Sequence, residues 1–185
     1  MRKLRRERLE ARARKLLDDL GIRSIPIPVD RIARALGAQI RFSPLDEELS
    51  GLICIKDGVP IIGVNTLHHP HRQRFTIAHE IAHLQLHRDH ITSAVHVDKR
   101  FNEAVLKRDA DSATGTEWLE IEANFFAAAL LMPRHILVQH LTASRIDIDD
   151  DGPLEDLSKK FHVSKATLQY RIRNLLREGR ARKLA

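Results

Sequence analysis

The amino-acid sequence has little cysteine, few aromatic residues and no long hydrophobic run. One cysteine among 185 residues excludes an intramolecular disulfide and favours a protein of the reducing cytoplasm. Aromatic residues make up 4% of the chain, so a core drawn from its 43% hydrophobic residues must consist mainly of Leu, Ile, Val and Ala. No apolar run approaches the ~20 residues of a membrane span, and the charged N-terminus lacks the apolar segment of a secretory signal. We therefore expect a cytoplasmic protein with no membrane partner.

The chain is basic. Its formal net charge is +6 and its isoelectric point is about 9.8. A surplus of this size is compatible with nucleic-acid binding, but a solvated basic surface accounts for it as well. Charge alone therefore leaves the function open.

The first third of the sequence predicts a helix followed by a small sheet. Residues 1–20 have the pattern of a charged helix that ends at Gly21. Three strand patterns then follow in "AQIRFS", "LSGLICIK" and "VPIIGVN". Asp57 and Gly58, between the last two patterns, predict a tight hairpin turn. We therefore expect a small three-stranded sheet before residue 70.

The remainder of the chain is predominantly helical in pattern. The stretch "EWLEIEANFFAAALLM" predicts a long, core-packed helix that ends before Pro133. Residues 154–185 predict two helices separated at "HVS". We predict a core of residues 1–145 and a helical, helix-turn-helix-like segment of residues 146–185 packed on that core.

The stretch "RQRFTIAHEIAHLQLH" contains the pattern H-E-x-x-H. On a helix, residues i and i+4 lie on the same face, so His79 and His83 can present imidazole nitrogens to one metal ion. Glu80 is rotated by about 100° from His79. Its carboxylate then lies beside the ion, where it can take a proton from a bound water.

A helix with unrelated surface histidines can match the same short pattern, so its surroundings matter. On a helical projection, the polar residues gather on one arc, which holds Thr76, His79, Glu80, His83 and His87. Apolar residues cover the remainder of the helix. A largely buried helix of this kind needs partners for its imidazoles and carboxylate, and a metal ion in a cleft supplies one.

A catalytic zinc ion needs a third protein ligand and leaves a fourth position for water. The downstream helix offers Glu117, Glu120 and Glu122. Glu120 and Asn124 share one face at i, i+4 spacing, so we expect Glu120 to bind the ion and Asn124 to hydrogen-bond a ligating histidine. Glu122 points about 200° away from Glu120 and is the alternative third ligand.

The motif stretch, together with "EIEANFFAAALLMP", resembles the paired signatures of the ImmA/IrrE family of metallo-endopeptidases. The resemblance extends over roughly residues 10–178, with "PVDRIARALGAQIRF" and "SGLICIKDGVPIIGVN" similar to the family's helix and strands before its active-site helix. One departure is that Ile81 and Ala82 stand where Leu and Gly are commoner, which conserves size. The resemblance implies an α+β, zincin-like fold, with His79, His83 and a downstream Glu as Zn²⁺ ligands.

The function implied by the resemblance is that of a zinc-dependent metallo-endopeptidase. The family's usual substrate is a cytoplasmic helix-turn-helix repressor, whose cleavage derepresses stress-response or mobile-element genes. We expect such a repressor, encoded nearby, to be the protein partner here.

The expected reaction uses the motif glutamate as a general base. Zinc polarises the scissile carbonyl and acidifies its water, while Glu80 passes the proton to the leaving amine. The usual hydrogen-bond donor to the transition state is a tyrosine hydroxyl, and Tyr170 is the single tyrosine of the chain. The candidate donors here are therefore His87 and Arg72. By analogy, a substrate chain is expected to pair with the sheet edge at residues 61–64.

A DNA-binding transcriptional regulator is the alternative function. The C-terminal segment has helix-turn-helix spacing, and its second helix carries Gln169, Arg171 and Arg173, which suit base and phosphate contacts. Against this interpretation, its apolar residues can be buried in a core; they are Leu154, Leu157, Phe161, Val163, Leu168, Ile172 and Leu175. A third class, a non-catalytic protein with structural zinc, has no need of a general base at Glu80.

Overall fold

The computed structural model describes residues 3–91, 96–99, 115–143 and 151–183. The chain divides into two compact units, a sheet unit of Pro28–Ala127 and a helical unit of Met1–Ile27 with Ala128–Ala185. In chain order the elements are α1 (Lys3–Asp19), α2 (Val29–Ala35), β1 (Gln39–Ser43), β2 (Leu49–Lys56), β3 (Val59–Asn65), α3 (Pro70–Leu86), a short 3-10 helix (Arg88–His90), β4 (His96–Lys99), α4 (Gly115–Leu131), α5 (Arg134–Ala143), α6 (Asp151–Phe161) and α7 (Lys165–Lys183).

The sheet unit contains a four-stranded sheet in the order β1-β3-β2-β4. Strand β1 runs parallel to β3, whereas β2 runs antiparallel to both β3 and β4. Asp57 and Gly58 join β2 to β3 with φ values of 51° and 80°. Positive φ at both positions is the geometry of the two-residue hairpin turn that the sequence predicts.

The α+β class is confirmed, and the three predicted strands are all present. A fourth strand, His96–Lys99, lies in a stretch whose sequence shows no clear alternation. The predicted substrate edge at residues 61–64 is wrong, because these residues belong to β3, which is paired with β1 on one side and β2 on the other. Among the described residues, the edges of this sheet are β1 and β4.

Helix α3 packs against β2, β3 and α2. Pro70 occupies its first position, where a missing N–H is tolerated and the fixed φ already suits a helix. The side chain of His69 caps this end by accepting the backbone N–H of His71 at 3.2 Å. Every residue from Phe75 to Leu84 is buried, so the polar side chains of α3 lie in the interior of the sheet unit.

The helical unit has an apolar core supplied in part by α6 and α7, which contact each other. His162, with φ of 52°, lies in the turn between them, and the Ser164 hydroxyl caps α7 by accepting the Thr167 N–H at 3.1 Å. The predicted break at "HVS" is therefore confirmed. All the apolar residues expected to be buried in this helix pair are buried, from Leu154 to Leu175.

Arg171 is a fully buried cation within the helical unit. Its Nε donates to the carbonyl of Met132 at 3.1 Å, and its terminal nitrogen donates to both carboxylate oxygens of Glu10. The alternative interpretation expected Arg171 to contact DNA, which this burial contradicts. Of the other two candidate contacts, Arg173 is exposed and Gln169 is half-buried.

The compact units do not follow the predicted division at residues 145 and 146. The helical unit groups α1 with the C-terminal helices, and α4 begins in the sheet unit and ends in the helical unit. In the described part of the chain, no single helix has the length and apolar composition to cross a membrane; only the bent pair Glu117–Leu131 and Arg134–Thr142, taken together, meets that criterion.

Replacing Arg171 by Ala should lower the free energy of unfolding by about 3 kcal/mol, because a partly buried carboxylate and a buried carbonyl lose their donor. Arg173→Ala, at an exposed position two residues away, is the matched control and should change stability by no more than about 0.5 kcal/mol. Urea denaturation followed by circular dichroism measures both values. Equal stability of the two variants would contradict the proposed role of Arg171 in the fold.

Candidate metal centre

Two histidines of α3 face each other one helical turn apart. The Nε2 atoms of His79 and His83 are 3.0 Å apart, and each side chain is only 2% exposed. Their rings meet edge to face, with centroids 4.7 Å apart. The pair is fixed in this arrangement because α3 is packed against the sheet along the turns that carry it.

Helix α4 brings a carboxylate to this imidazole pair. Glu120 Oε2 lies 3.1 Å from His79 Nε2, and Glu120 Oε1 lies 3.3 Å from His83 Nε2. With 26% of its side chain exposed, Glu120 lies at the solvent-facing side of the cluster. In the described residues, this trio is the one group of three or more His, Cys, Asp or Glu side chains arranged to hold a metal ion.

The spacing of these three donors fits a tetrahedral metal ion. Ligands at about 2.0–2.1 Å from a tetrahedral zinc ion are separated from one another by about 3.3 Å. The three donor separations here are 3.0, 3.1 and 3.3 Å. Two imidazoles and one carboxylate also form a donor set typical of catalytic zinc sites that keep a fourth position open.

Asn124 holds the opposite side of the His79 ring. Its side-chain oxygen lies 2.9 Å from His79 Nδ1. An amide oxygen is an acceptor only, so His79 carries its proton on Nδ1 and presents the lone pair of Nε2 to the cluster. This arrangement has the geometry expected of a residue that orients a metal-ligating histidine.

His87 and Glu122 lie next to the cluster but in a different arrangement from the one expected. His87 Nδ1 is 3.3 Å from His83 Nδ1, and His87 Nε2 is 3.2 Å from Glu122 Oε2. Glu122, the alternative third ligand, therefore pairs with His87 on the far side of His83. Both ring nitrogens of His87 face partners inside the protein, which disfavours its predicted role as a donor to substrate.

Glu80 is fully buried and faces strand β2. A Cβ atom added to Gly51 would stand 3.7 Å from Glu80 Oε1, so the carboxylate lies beside the backbone of β2 at that residue. Glu80 directly follows His79 along α3, and its carboxylate faces β2, whereas the two imidazoles face Glu120 of α4. The three donors of the cluster do not include Glu80.

Comparison with known proteins agrees with this geometry. The sequence model of the peptidase family described as the IrrE N-terminal-like domain matches residues 33–173. The chain belongs to this peptidase family. Membership supports a metallopeptidase with a protein substrate. A search of curated proteins gives no match.

A solved structure of a Mycobacterium tuberculosis transcriptional regulator is similar to this IrrE-like chain. The two share 20% sequence identity at a TM-score of 0.60, over 88% of this chain and 46% of the regulator. This chain therefore spans less than half of that protein. At this identity the likeness shows a shared fold and nothing about activity.

Arg72 of the IrrE-like chain lies seven residues before His79, which is about 10 Å along a helix axis. Its guanidinium donates to the hydroxyl of Ser50, with its terminal nitrogen at 2.7 Å and Nε at 3.3 Å. Ser50 sits at the irregularity in the pairing of β2 with β4. The contact joins the start of α3 to the sheet, and the predicted role of Arg72 as a transition-state donor gains no support.

Arg74 follows on the same helix and is partly buried. Burial lowers its pKa, and the nearby charge of Asp30 acts in the opposite direction. An arginine so placed stays protonated at neutral pH. The N-terminal half of α3 therefore keeps a positive charge.

The histidines before α3 form a turn and not a second metal group. His68 Nε2 lies 3.2 Å from the carbonyl of Glu47, and His69 caps the helix. These two histidines therefore belong to the turn that leads into α3.

Gly51 also lines the IrrE-like site, although it is not among the site residues predicted from the sequence. An added Cβ would lie 2.4 Å from Thr76 Cγ2 and 2.6 Å from the carbonyl oxygen of Gly63, so nothing larger than glycine fits. A glycine inside a strand pattern is a known signal of close backbone approach. That signal was present in "LSGLICIK" and identifies the position where β2 meets α3.

Gly51→Ala should lower the free energy of unfolding by about 1–3 kcal/mol, because the methyl group forces β2 and α3 apart. Cys54→Ala, at a half-buried position on the same strand, removes atoms instead of adding them and should perturb the protein less. Thermal unfolding of both variants measures the difference. A Gly51→Ala protein as stable as the parent would contradict the close approach.

Proposed function

We propose that this protein is a zinc-dependent metallo-endopeptidase in which His79, His83 and Glu120 hold the ion. The observation that carries the proposal is the convergence of three donor atoms, from two helices, at mutual distances of 3.0–3.3 Å. Family membership supports the same class of enzyme. Zinc is the proposed metal because two imidazoles and a carboxylate match its catalytic sites.

When bound, zinc supplies a Lewis acid that polarises a carbonyl and lowers the pKa of water. Glu80 is the proposed general base. It directly follows the proposed ligand His79 in the sequence, and its carboxylate is directed toward β2. It accepts a proton from the attacking water and returns it to the leaving amine. Asn124 keeps His79 in the tautomer that leaves Nε2 available.

The proposed substrate is a cytoplasmic helix-turn-helix repressor encoded near the gene, cleaved in a stress-response or mobile-element circuit. The support for this substrate is the resemblance of the two motif-bearing helices to the ImmA/IrrE signatures. A substrate held in extended form can add to an edge strand of the sheet, and β1 and β4 are the candidate edges in the described part of the chain. An enzyme dedicated to one such protein is expected to ignore generic peptides.

The DNA-binding alternative has less support. It relied on a row of three polar residues on α7, and the middle one, Arg171, is committed to contacts inside the helical unit. The structural-zinc alternative leaves the buried carboxylate of Glu80 without a role. We therefore retain the peptidase as the proposed function.

Purified protein should contain about one zinc ion per chain, because the three donors form a single site. His79→Ala removes one of the three donors and should lose most of the metal. His135→Ala, at an exposed histidine in the helical unit, is the control and should keep it. Elemental analysis after dialysis measures all three proteins. Equal zinc in the two variants would rule out the proposed ligand set.

Glu80→Gln should keep the zinc content and the fold but lose cleavage by about 10²–10⁴-fold, since an amide cannot accept the proton. The assay is incubation with the repressor encoded beside the gene, followed by electrophoresis and mass spectrometry of the fragments. A Glu80→Gln enzyme as active as the parent would show that the base has been assigned to the wrong residue.

A further inference from the structure

His87 and Glu122 have no place in the reaction proposed above, yet both are buried beside the metal centre. His87 follows the last residue of α3, and its backbone N–H donates to the carbonyl of His83 at 2.8 Å. Its ring lies between the His83 ring and the Glu122 carboxylate. Its distances to both neighbours are those of hydrogen bonds, so the three side chains form a continuous chain.

We propose that His87 and Glu122 are positioning residues that set the tautomer and orientation of His83 for metal binding. The inference rests on the proposed function, because it assumes that His83 Nε2 is a metal ligand. It adds two residues to the site and a direction to the hydrogen bonds that link them.

The direction follows from the protons that each ring must carry. His83 Nε2 faces His79 and Glu120 and needs a free lone pair to bind a cation, so His83 carries its proton on Nδ1. That N–H donates to His87 Nδ1, which must then be an unprotonated acceptor. His87 in turn carries its proton on Nε2 and donates it to the carboxylate of Glu122.

A carboxylate at the end of such a chain makes the ligating imidazole a better donor to the metal. Carboxylate–histidine–metal arrangements usually involve one intermediate ring, and their loss weakens metal binding. Here a second imidazole extends the arrangement, because Glu122 Oε2 lies against His87 and not against His83. The chain is also enclosed, with the His87 and Glu122 side chains 5% and 8% exposed, so water does not replace either partner.

Helix α4 therefore supports both histidines of α3 by different routes. Asn124 contacts His79 directly, whereas Glu122 reaches His83 through His87. Glu120 contacts the Nε2 atoms of both histidines. Of these two carboxylates of α4, Glu120 is thus assigned to the ion, and Glu122 is assigned to the support of the ligand His83.

The test measures the affinity of the full-length protein for Zn²⁺ by competition with a chromogenic chelator. His87→Ala should weaken zinc binding by about 10–100-fold, because His83 Nδ1–H loses its acceptor. Glu122→Gln, which keeps the shape of the side chain, should weaken binding in the same direction by a smaller factor. His90→Ala, at an exposed histidine just beyond α3, is the matched control and should leave the affinity unchanged.

His87→Asn separates positioning from simple packing. Its amide oxygen takes nearly the place of His87 Nδ1 and can still accept from His83, although the side chain is smaller than histidine. It should therefore recover at least part of the affinity that His87→Ala loses. The visible spectrum of the Co²⁺-substituted proteins should likewise change in His87→Ala, return toward the parent in His87→Asn and stay unchanged in His90→Ala.

Two results would overturn the inference while leaving the proposed function standing. One is parental zinc affinity in both folded His87→Ala and Glu122→Gln, with the metal lost in His79→Ala. The other is equal loss of affinity in His87→Ala and His87→Asn. If the parent protein itself binds no zinc, the proposed function fails first and the inference fails with it.

Discussion

The close approach of two imidazole nitrogens and one carboxylate inside the sheet unit is the constraint on which the structure of the site depends. Polar groups placed in an apolar interior are costly unless each has a partner. Helix α3 carries the two rings one turn apart, and α4 must lie close enough for Glu120 to reach both. Other features of the unit fix the position of α3. Pro70 begins the helix, and Arg72 in its first turn donates to the hydroxyl of Ser50 in the sheet.

Helix α4 does more than donate a ligand. Its side chains contact the cluster from several directions, through the carboxylate of Glu120 and the amide of Asn124. A helix with small and apolar residues along its remaining faces packs closely, and this closeness lets short side chains make several contacts at once. Rigid support of this kind is what a site built on two helices requires to hold an ion in one geometry.

Much of the fold and the candidate site could be predicted, because both follow from local periodicity. Alternating residues and an Asp-Gly turn located the first three strands, and helical spacing placed Glu120 and Asn124 on one face. Strand order could not be predicted, since the parallel pairing of β1 with β3 joins segments distant in sequence. The contact of His87 with α4 and the burial of Arg171 were missed for the same reason: each depends on which helices pack together. An arginine read from sequence alone is expected at the surface.

The absence of a side chain at Gly51 limits how this flank of the candidate site can vary. Where β2 passes Glu80, the wall of the site consists of main-chain atoms, and any branch added there collides with Thr76 and Gly63. Substitution can alter the polarity or the bulk at most positions that line a site, but at Gly51 no larger side chain fits. Under the proposed function, selectivity between substrates therefore depends on surfaces other than this flank.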